Sequence, residues 1–400
     1  MRKLDVLVFA AALFAGNTLF AQSWVIGPFV RPSEAPVIQP NKFYYFTDPI
    51  TQEKTFWDAG HAFNPAATIA PSGDVAVVFR AEDTSGKDEI GGHISRLGLA
   101  TSKDGLFFTI EGAPVLYPQN DDQKPNETPG GVEDPRIVVG PDGTYVMTYT
   151  QWARDRGEYT VGIATSKNLE DWTKQGPAFG KADNGKYDKL HYKSAGILTE
   201  LHNGRLQAVR LHGKYWMYWG EGQIHLATSA DLIHWTPVVD AKTGLPQVVM
   251  SARAGHFDSE FPEVGPPPLL TKKGIVLIYN GKNSASGNRD TKGSLATDSA
   301  APTNVTGENT AAADEQFGGD PTIRPGAYSV GEALFSPSDP GKLLGRTDRP
   351  ILTPVWPYER KGQYASGATF AEGLVPYKGQ WLLYYGAADS VIGVASTELR

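Results

Sequence analysis

Pro141-Asp142-Gly143-Thr144-Tyr145-Val146-Met147-Thr148-Tyr149-Thr150-Gln151-Trp152 is a turn that runs straight into a strand. Glycine supplies the positive φ of the turn, and the following Tyr, Val and Thr residues suit a pleated, half-buried surface. The same construction occurs four more times: Pro71-Ser72-Gly73 before 74–83, His212-Gly213 before 214–221, Lys273-Gly274 before 275–282, and Lys378-Gly379 before 380–389. Successive turn glycines stand 70, 70, 61 and 105 residues apart. A second landmark recurs inside three of these units. Ala100-Thr101-Ser102, Ala164-Thr165-Ser166 and Ala227-Thr228-Ser229 each open a polar turn that closes on Phe107, Trp172 or Trp235, with the serines 64 and 63 residues apart. Repeats of this length, each made of a few short strands, indicate propeller blades. A β-sandwich would also supply many strands, but not a period near 65 residues.

The expectation is therefore an all-β chain, a five-bladed β-propeller spanning 22–400 as a single domain. The fourth unit is longer because 284–325 is rich in Ser, Thr, Asn, Gly and Ala. Such a segment buries little apolar surface and reads as an insertion loop. The 29 prolines and 44 glycines fit a chain built of turns rather than helices. Residues 1–21 read as a signal peptide: Arg2 and Lys3, an apolar run from Val6 to Phe20, and small Ala21. The run is short for a membrane span, and no second one follows. Export to the periplasm or beyond is the corresponding expectation.

With a formal charge of -7 and a pI near 5.7, the chain lacks the basic balance of a nucleic-acid binder. It has no cysteine, which removes disulfides and a thiolate nucleophile from consideration. In a propeller the first strand of each blade lines the central channel, so functional residues recur at the unit starts. These starts are Phe63-Asn64-Pro65-Ala66, Gly131-Val132-Glu133-Asp134-Pro135-Arg136, Lys193-Ser194-Ala195-Gly196, Phe257 to Pro267 with Glu260 and Glu263, and Ala365 to Phe370. Carboxylates gathered round one channel are the raw material of glycoside hydrolysis, in which one acid protonates the leaving oxygen and another carboxylate activates water.

These segments resemble glycoside hydrolase family 130, the β-mannoside phosphorylases and β-1,2-mannosidases, from about Asn64 to Ser396. The resemblance rests on Gly131-Val132-Glu133-Asp134-Pro135-Arg136, on Phe79-Arg80-Ala81-Glu82-Asp83, and on Tyr385-Gly386-Ala387-Ala388-Asp389. It implies a mannose held in the channel, with Asp134 as general acid working through the sugar's own 3-hydroxyl. It further implies that Asn64, Arg80, Asp83 and Asp389 grip that mannose; Arg136 and Lys193 are added as candidate binders. Phosphorylase members of the family carry a His-Arg pair after the third-blade strand, where this chain has Trp219-Gly220 followed by Glu221. The Tyr218-Trp219-Gly220-Glu221 stretch, with Glu263, is similar to the hydrolytic branch, so Glu221 or Glu263 is the candidate base. The expected activity is thus inverting hydrolysis of β-mannosides, β-1,2 in particular. A phosphorylase releasing mannose 1-phosphate and a non-catalytic sugar-binding propeller are the alternatives.

Other residues compete for roles. Glu260 is the outward neighbour of Glu263 or a second acid. Arg210 is a basic residue near the third unit's inner end. Trp57, Trp152, Trp216 and Trp219 are candidates for stacking on sugar faces or for packing between blades. His61, His191 and His225 have no ligand spacing that compels a metal site, and no cofactor is called for. The expected partner is a β-mannoside oligosaccharide, and the oligomeric state is not legible.

Overall fold

A computed structural model of the chain describes residues 22–399, apart from 88, 189 and 285–317. The signal peptide expected at 1–21 and most of the insertion expected at 284–325 fall outside the described residues. Those residues are all-β: their α-helix is the four-residue Lys124–Glu127. No helix among them is long and apolar enough to cross a membrane.

The strands pair in successive antiparallel groups, each opening with the strand the sequence marks as a unit start. His61–Ile69, Val75–Glu82, Ser95–Ser102 and Thr109–Ile110 form the first group. Gly131–Val139, Tyr145–Ala153, Glu158–Ser166 and Trp172–Pro177 form the second. The third is Ala195–Ile197, Lys214–Trp219, Ile224–Ser229 and Trp235–Pro237. Phe261–Val264, Gly274–Lys282, Tyr328–Ser336 and Asp339–Arg346 make the fourth. The last group has three strands from the C-terminal region, Thr369–Tyr377, Gln380–Ala387 and Val391–Glu398. Its free edge is covered by the N-terminal stretch. Val30 and Ser396 exchange backbone hydrogen bonds of 2.9 and 2.7 Å, Val37 N–H donates to Ile392 at 2.8 Å, and Ile392 N–H donates to Ile38 at 3.0 Å.

The Ala-Thr-Ser landmarks are one structural device used three times. Ser102, Ser166 and Ser229 each accept a backbone N–H three residues on, from Gly105, Leu169 and Leu232, at 2.8–2.9 Å. All three of those acceptor-turn residues have positive φ, at 81°, 72° and 70°. Glycine adopts that region without strain; the two leucines are held there by burial against neighbouring strands. Trp172 and Trp235 then donate their indole N–H to the carbonyls of Leu169 and Leu232.

The core lies between adjacent groups rather than at one centre. Trp57, expected as a possible sugar platform, is fully buried with Phe79, Val77, Tyr384 and Ile392, between the first and last groups. Trp219 is likewise fully buried, with Phe179, Met217 and Trp235. Both indoles are packing residues. Ile38 sits in the Trp57 cluster with 2% of its surface exposed, so the N-terminal stretch is tied down by apolar contact as well as by backbone bonds. Ile38→Ala should cost about 2–4 kcal/mol in urea unfolding; a loss below about 0.5 kcal/mol would mean the stretch contributes little.

Candidate functional site

Two backbone irregularities aim the principal candidates. The register of the first strand pair slips between Phe63 and Pro65, and that of the second between Glu133 and Arg136. At these bulges Asn64 and Asp134 take positive φ, 48° and 49°, each immediately before a proline. Asn and Asp are the side chains that visit this region most readily. Ser194 and Asp389 show the same backbone sign, at 57° and 51°. Strained positions of this kind concentrate where a side chain must be presented out of the regular pleat. Their sequence signal is the Asn-Pro and Asp-Pro dipeptide at the start of a strand.

Asn64 and Asp134 meet directly, the Asn64 amide donating to Asp134 Oδ1 at 2.8 Å. Gly386 makes the room for this. A Cβ on it would stand 2.3 Å from Asn64 Oδ1, so the glycine is required by space rather than by φ. Arg80 reaches the same carboxylate oxygen at 3.3 Å and also contacts Glu82 at 2.7 Å and Glu133 at 2.9 Å. Burial pushes the Asp134 carboxyl upward, but Arg80, Lys193 and Arg136 outweigh it and hold it below the usual range. Its neighbour Glu133, which the sequence reading left without a role, is displaced upward by burial and by Asp134, against the pull of Arg80.

The two candidate bases come together at the junction of the third and fourth groups, where Glu221 and Glu263 form an isolated antiparallel bridge. Glu221, about a quarter exposed, accepts from the Tyr159 hydroxyl at 2.9 Å and stands 3.6 Å from Lys193 Nζ. Glu263 is buried and takes a short 2.5 Å hydrogen bond from Ser194 Oγ. Burial raises the Glu263 carboxyl, opposed by Lys193 and helped upward by Glu221. Lys193 feels Glu221, Glu263, Asp134 and Glu133 at once, which keeps its ammonium charged well above the ordinary lysine range despite burial. The candidate acid and both candidate bases thus act on one lysine. Tyr159 was missed: it lies in an outer strand position whose sequence carries no mark of the contact. It packs against Trp152 and His191, so of the four tryptophans weighed Trp152 is the one beside the site.

Arg136 corrects an expectation. It is buried, and its guanidinium donates to Asp134 O (2.9 Å), Val264 O (2.7 Å) and Gly265 O (3.2 Å), with Glu372 at 3.0 Å. Its donors are spent on the backbone that carries Asp134 and Glu263, so it is a brace rather than a sugar contact. Asp83 is engaged by Arg96 at 2.7 Å and by Ser85, and Arg96 in turn holds Asp48 at 2.7 Å; the direct bonds of Asp83 do not run to the Asp134 cluster. Arg210 is exposed on a hairpin and donates to Gly213 and Ala230, away from the site. Glu260 pairs with Lys282 at 3.1 Å and is the outward neighbour. Trp216 donates to Leu211.

Asp389 stands across from Arg80. Its carboxyl is raised to about 7 by burial, with Asp134 and Glu82 adding and Arg80 and Lys193 opposing. Histidines meet as well: His61, Glu82 and His93 place one ligand atom each within 4.8 Å of one another. Sequence spacing did not reveal this, because the three come from separate segments of the first group.

The profile of glycoside hydrolase family 130, described as beta-1,4-mannooligosaccharide phosphorylase, matches residues 31–292 and 317–400. A 1,2-beta-oligomannan phosphorylase from Thermoanaerobacter sp. (strain X514) is 30% identical over 92% of this chain and 97% of its own. One solved structure comes from work on how the GH130 family of mannoside phosphorylases contains glycoside hydrolases that target β-1,2 mannosidic linkages in Candida mannan. It is 46% identical with TM-score 0.84, over 94% of this chain and 96% of that one. A glycosyl hydrolase from Bacteroides ovatus is 44% identical with TM-score 0.83, over 94% and 95% of the two chains.

Two measurements check the electrostatics. Burial raises the Glu372 carboxyl well above the ordinary range, against the pull of Arg136, which favours its protonated form. Glu372→Gln should then change stability by less than about 1 kcal/mol, whereas Arg136→Ala should cost about 3–5 kcal/mol by stripping the bonds to three carbonyls. A large loss in Glu372→Gln would show the carboxylate to be ionised. For Asp389, the folded state keeps a proton that the unfolded chain releases near pH 4. Its contribution is present below that pH and is lost as pH rises towards 7. The Tm of Asp389→Asn relative to the parent should therefore climb by about 2–4 °C between pH 4.5 and 8; a flat difference would contradict the shift.

Proposed function

Because this chain belongs to glycoside hydrolase family 130, we propose that it breaks β-mannosidic linkages, β-1,2 foremost, by one inverting displacement with water as the attacking group. The five strand groups are read as the blades of a five-bladed β-propeller. Support comes from Gly373, where a Cβ would stand 2.7 Å from Pro65 O, so the last group abuts the first. The N-terminal stretch on the free edge of the last group is the remaining strand of that blade. The site lies on the propeller axis, where the inner strands begin.

Asp134 is the general acid, and Asn64, Arg80 and Asp389 hold the mannose whose bond is cut. In the productive complex the proton on Asp134 passes to a sugar hydroxyl hydrogen-bonded to it, and that hydroxyl's own proton goes to the leaving oxygen, leaving Asp134 as the carboxylate that Arg80 and Lys193 stabilise. Glu263 or Glu221 takes the proton from water. Glu263 is the buried member, and burial raises its carboxyl to about 7, close to the neutrality at which a general base works. Lys193 keeps the pair from repelling each other apart.

One observation carries water as nucleophile: Glu221 and Glu263 pair as an isolated backbone bridge, which sets two carboxylates side by side next to Lys193. Arg80 and Arg136 spend their donors on carboxylates and carbonyls, and Lys193 stands 3.6 Å from Glu221. Each unit charge of a phosphate 4 Å from a carboxylate costs about 4 kcal/mol at an effective dielectric constant near 20. Phosphorolysis is the second reading, and it has its own support. The family description and the curated relatives carry phosphorylase names, and by names these comparisons favour mannose 1-phosphate as product over free mannose. Export, proposed from Arg2, Lys3 and the apolar run that follows, would put either reaction outside the cytoplasm.

The deciding experiment incubates purified protein with β-1,2- and β-1,4-mannobiose, with and without inorganic phosphate. Mannose released at the same rate in both conditions is expected; phosphate-dependent mannose 1-phosphate would replace hydrolysis by the second reading. Sugar binding without turnover would leave only a binding propeller. Asp134→Asn and Glu263→Gln should each lower kcat by about 10²–10⁴ with the fold retained by circular dichroism. Near-parental kcat in Asp134→Asn would remove it as the acid.

A further inference from the structure

Beside the mannose-gripping residues lies a donor set that glycosidic chemistry does not use. We propose that His61, Glu82 and His93 form a binding site for one divalent transition-metal ion of the zinc class. His61 opens the first strand of the first group and is backbone-paired with Glu82, which ends the second strand. Glu82 is paired in turn with Ser95, two residues after His93. Three neighbouring chain segments therefore deliver the three side chains to one end of one sheet, with Glu82 and His93 buried and His61 half-buried.

Hydrogen bonds on the far side of each ring fix which nitrogen faces the cluster. His93 Nδ1 lies 2.5 Å from the carbonyl oxygen of Ser85, so Nδ1 carries the proton and Nε2 the lone pair. His61 Nδ1 lies 3.2 Å from Ser390 Oγ. The Ser390 hydroxyl gives its own proton to Ala388 O, so towards His61 it is an acceptor and that ring too holds its proton on Nδ1. Metal-ligating histidines have this outer support almost without exception: the remote N–H is anchored to a carbonyl or another acceptor, which sets the tautomer and the ring plane. Glu82 is anchored on both oxygens, Oε1 by Arg80 and Ser95, and Oε2 by Gln363 at 2.8 Å. A carboxylate oxygen has two lone pairs, so Oε2 keeps one for an ion.

The size of the cluster suits such an ion after a small contraction. An ion centred in a triangle with 4.8 Å sides lies about 2.8 Å from each corner, against about 2.0–2.2 Å for zinc bonds to nitrogen or carboxylate oxygen. Side-chain torsions moving each atom by about 0.7 Å close the difference. Two imidazoles and one carboxylate select zinc and its first-row neighbours over calcium and magnesium, which take all-oxygen sites. A bound ion would hold Glu82 in place, and through it the Arg80 guanidinium that faces Asp134. In this role His61 and His93 are positioning residues for the sugar site.

The test uses the full chain, stripped with chelator and dialysed, then titrated with zinc chloride. Metal content by mass spectrometry should reach one ion per chain, with a rise in Tm of about 5 °C at a hundredfold excess over Kd. His61→Gln and His93→Gln should each weaken zinc binding at least tenfold while remaining folded by circular dichroism. Arg80 should also lose alignment, seen as a raised KM for mannobiose in stripped protein that zinc restores. Failure to take up zinc, or uptake unchanged in both variants, overturns the proposal. His61→Gln, at the half-buried position, keeps the test decisive if His93→Gln does not fold. None of these outcomes depends on whether water or phosphate attacks the sugar.

Discussion

The buried guanidinium of Arg136 is the constraint on which the site depends. It ties the carbonyl of Asp134 in the second strand group to the carbonyls of Val264 and Gly265 in the fourth, and faces Glu372 from the last. The backbones that carry the candidate acid and a candidate base are thus bonded to one rigid, planar cation. A flexible ammonium could not span three carbonyls in this way, since only the guanidinium presents its donors in a fixed fork. Acid–base catalysis needs the two carboxyls held at a spacing that admits the attacking group, and the brace sets that spacing from beneath. The cost is a buried charge, offset by carbonyl dipoles and by the nearby carboxyl of Glu372.

Around that brace the site is crowded with acids, and the protein manages them by dividing protons unequally. Arg80 and Lys193 hold the Asp134 carboxyl below the usual range, while Glu133, Glu263 and Asp389 are displaced upward. Pairs of titratable groups pushed in opposite directions are the mark of an acid–base site. Glu133 and Asp134, adjacent in sequence, share Arg80 and Lys193 but not their other neighbours: Arg136 and the Asn64 amide add to the pull on Asp134, whereas Asp134 and Glu82 push Glu133 up.

Much of the fold was legible because it repeats. A period near 65 residues, with a glycine turn in each unit and an Ala-Thr-Ser turn in three of them, is visible without any knowledge of packing, and both turns recur as expected. Candidate site residues were legible where a unit start carried an unusual polar residue, as at Asn64, Asp134 and Glu263. What failed to show was anything defined by the partner rather than by the residue. Arg136 reads as a channel cation until its donors are traced to carbonyls, whose positions no sequence pattern records. Asp83 reads as a sugar ligand, yet its ion pair is with Arg96, which carries no motif of its own. Glu372, Tyr159 and the meeting of His61 with His93 are likewise products of which strands lie side by side. Trp57 and Trp219 show the same limit from the other direction, since an aromatic at a unit boundary serves packing and stacking equally well until burial is known.

The repeats also explain how one backbone device comes to serve different chemistry. Asn64, Asp134 and Ser194 occupy the same place at the start of their groups, and all three hold positive φ. Asp389 reaches the same conformation from the far end of its strand pair, after Ala388. Each therefore leaves the pleat in the same manner, and the side chain alone decides the task. The amide of Asn64 donates to Asp134, the carboxyl of Asp134 faces Arg80, and the hydroxyl of Ser194 donates to Glu263. A repeat fold takes up backbone strain several times to present side chains out of the pleat, and stability is recovered in the apolar seams between groups, where Trp57, Trp219 and Trp235 lie fully buried. Strain at the site and packing at the seams are separate in space, so the presented residues can differ from group to group without disturbing the seams. That separation is what lets a repetitive frame hold a site with no two identical parts.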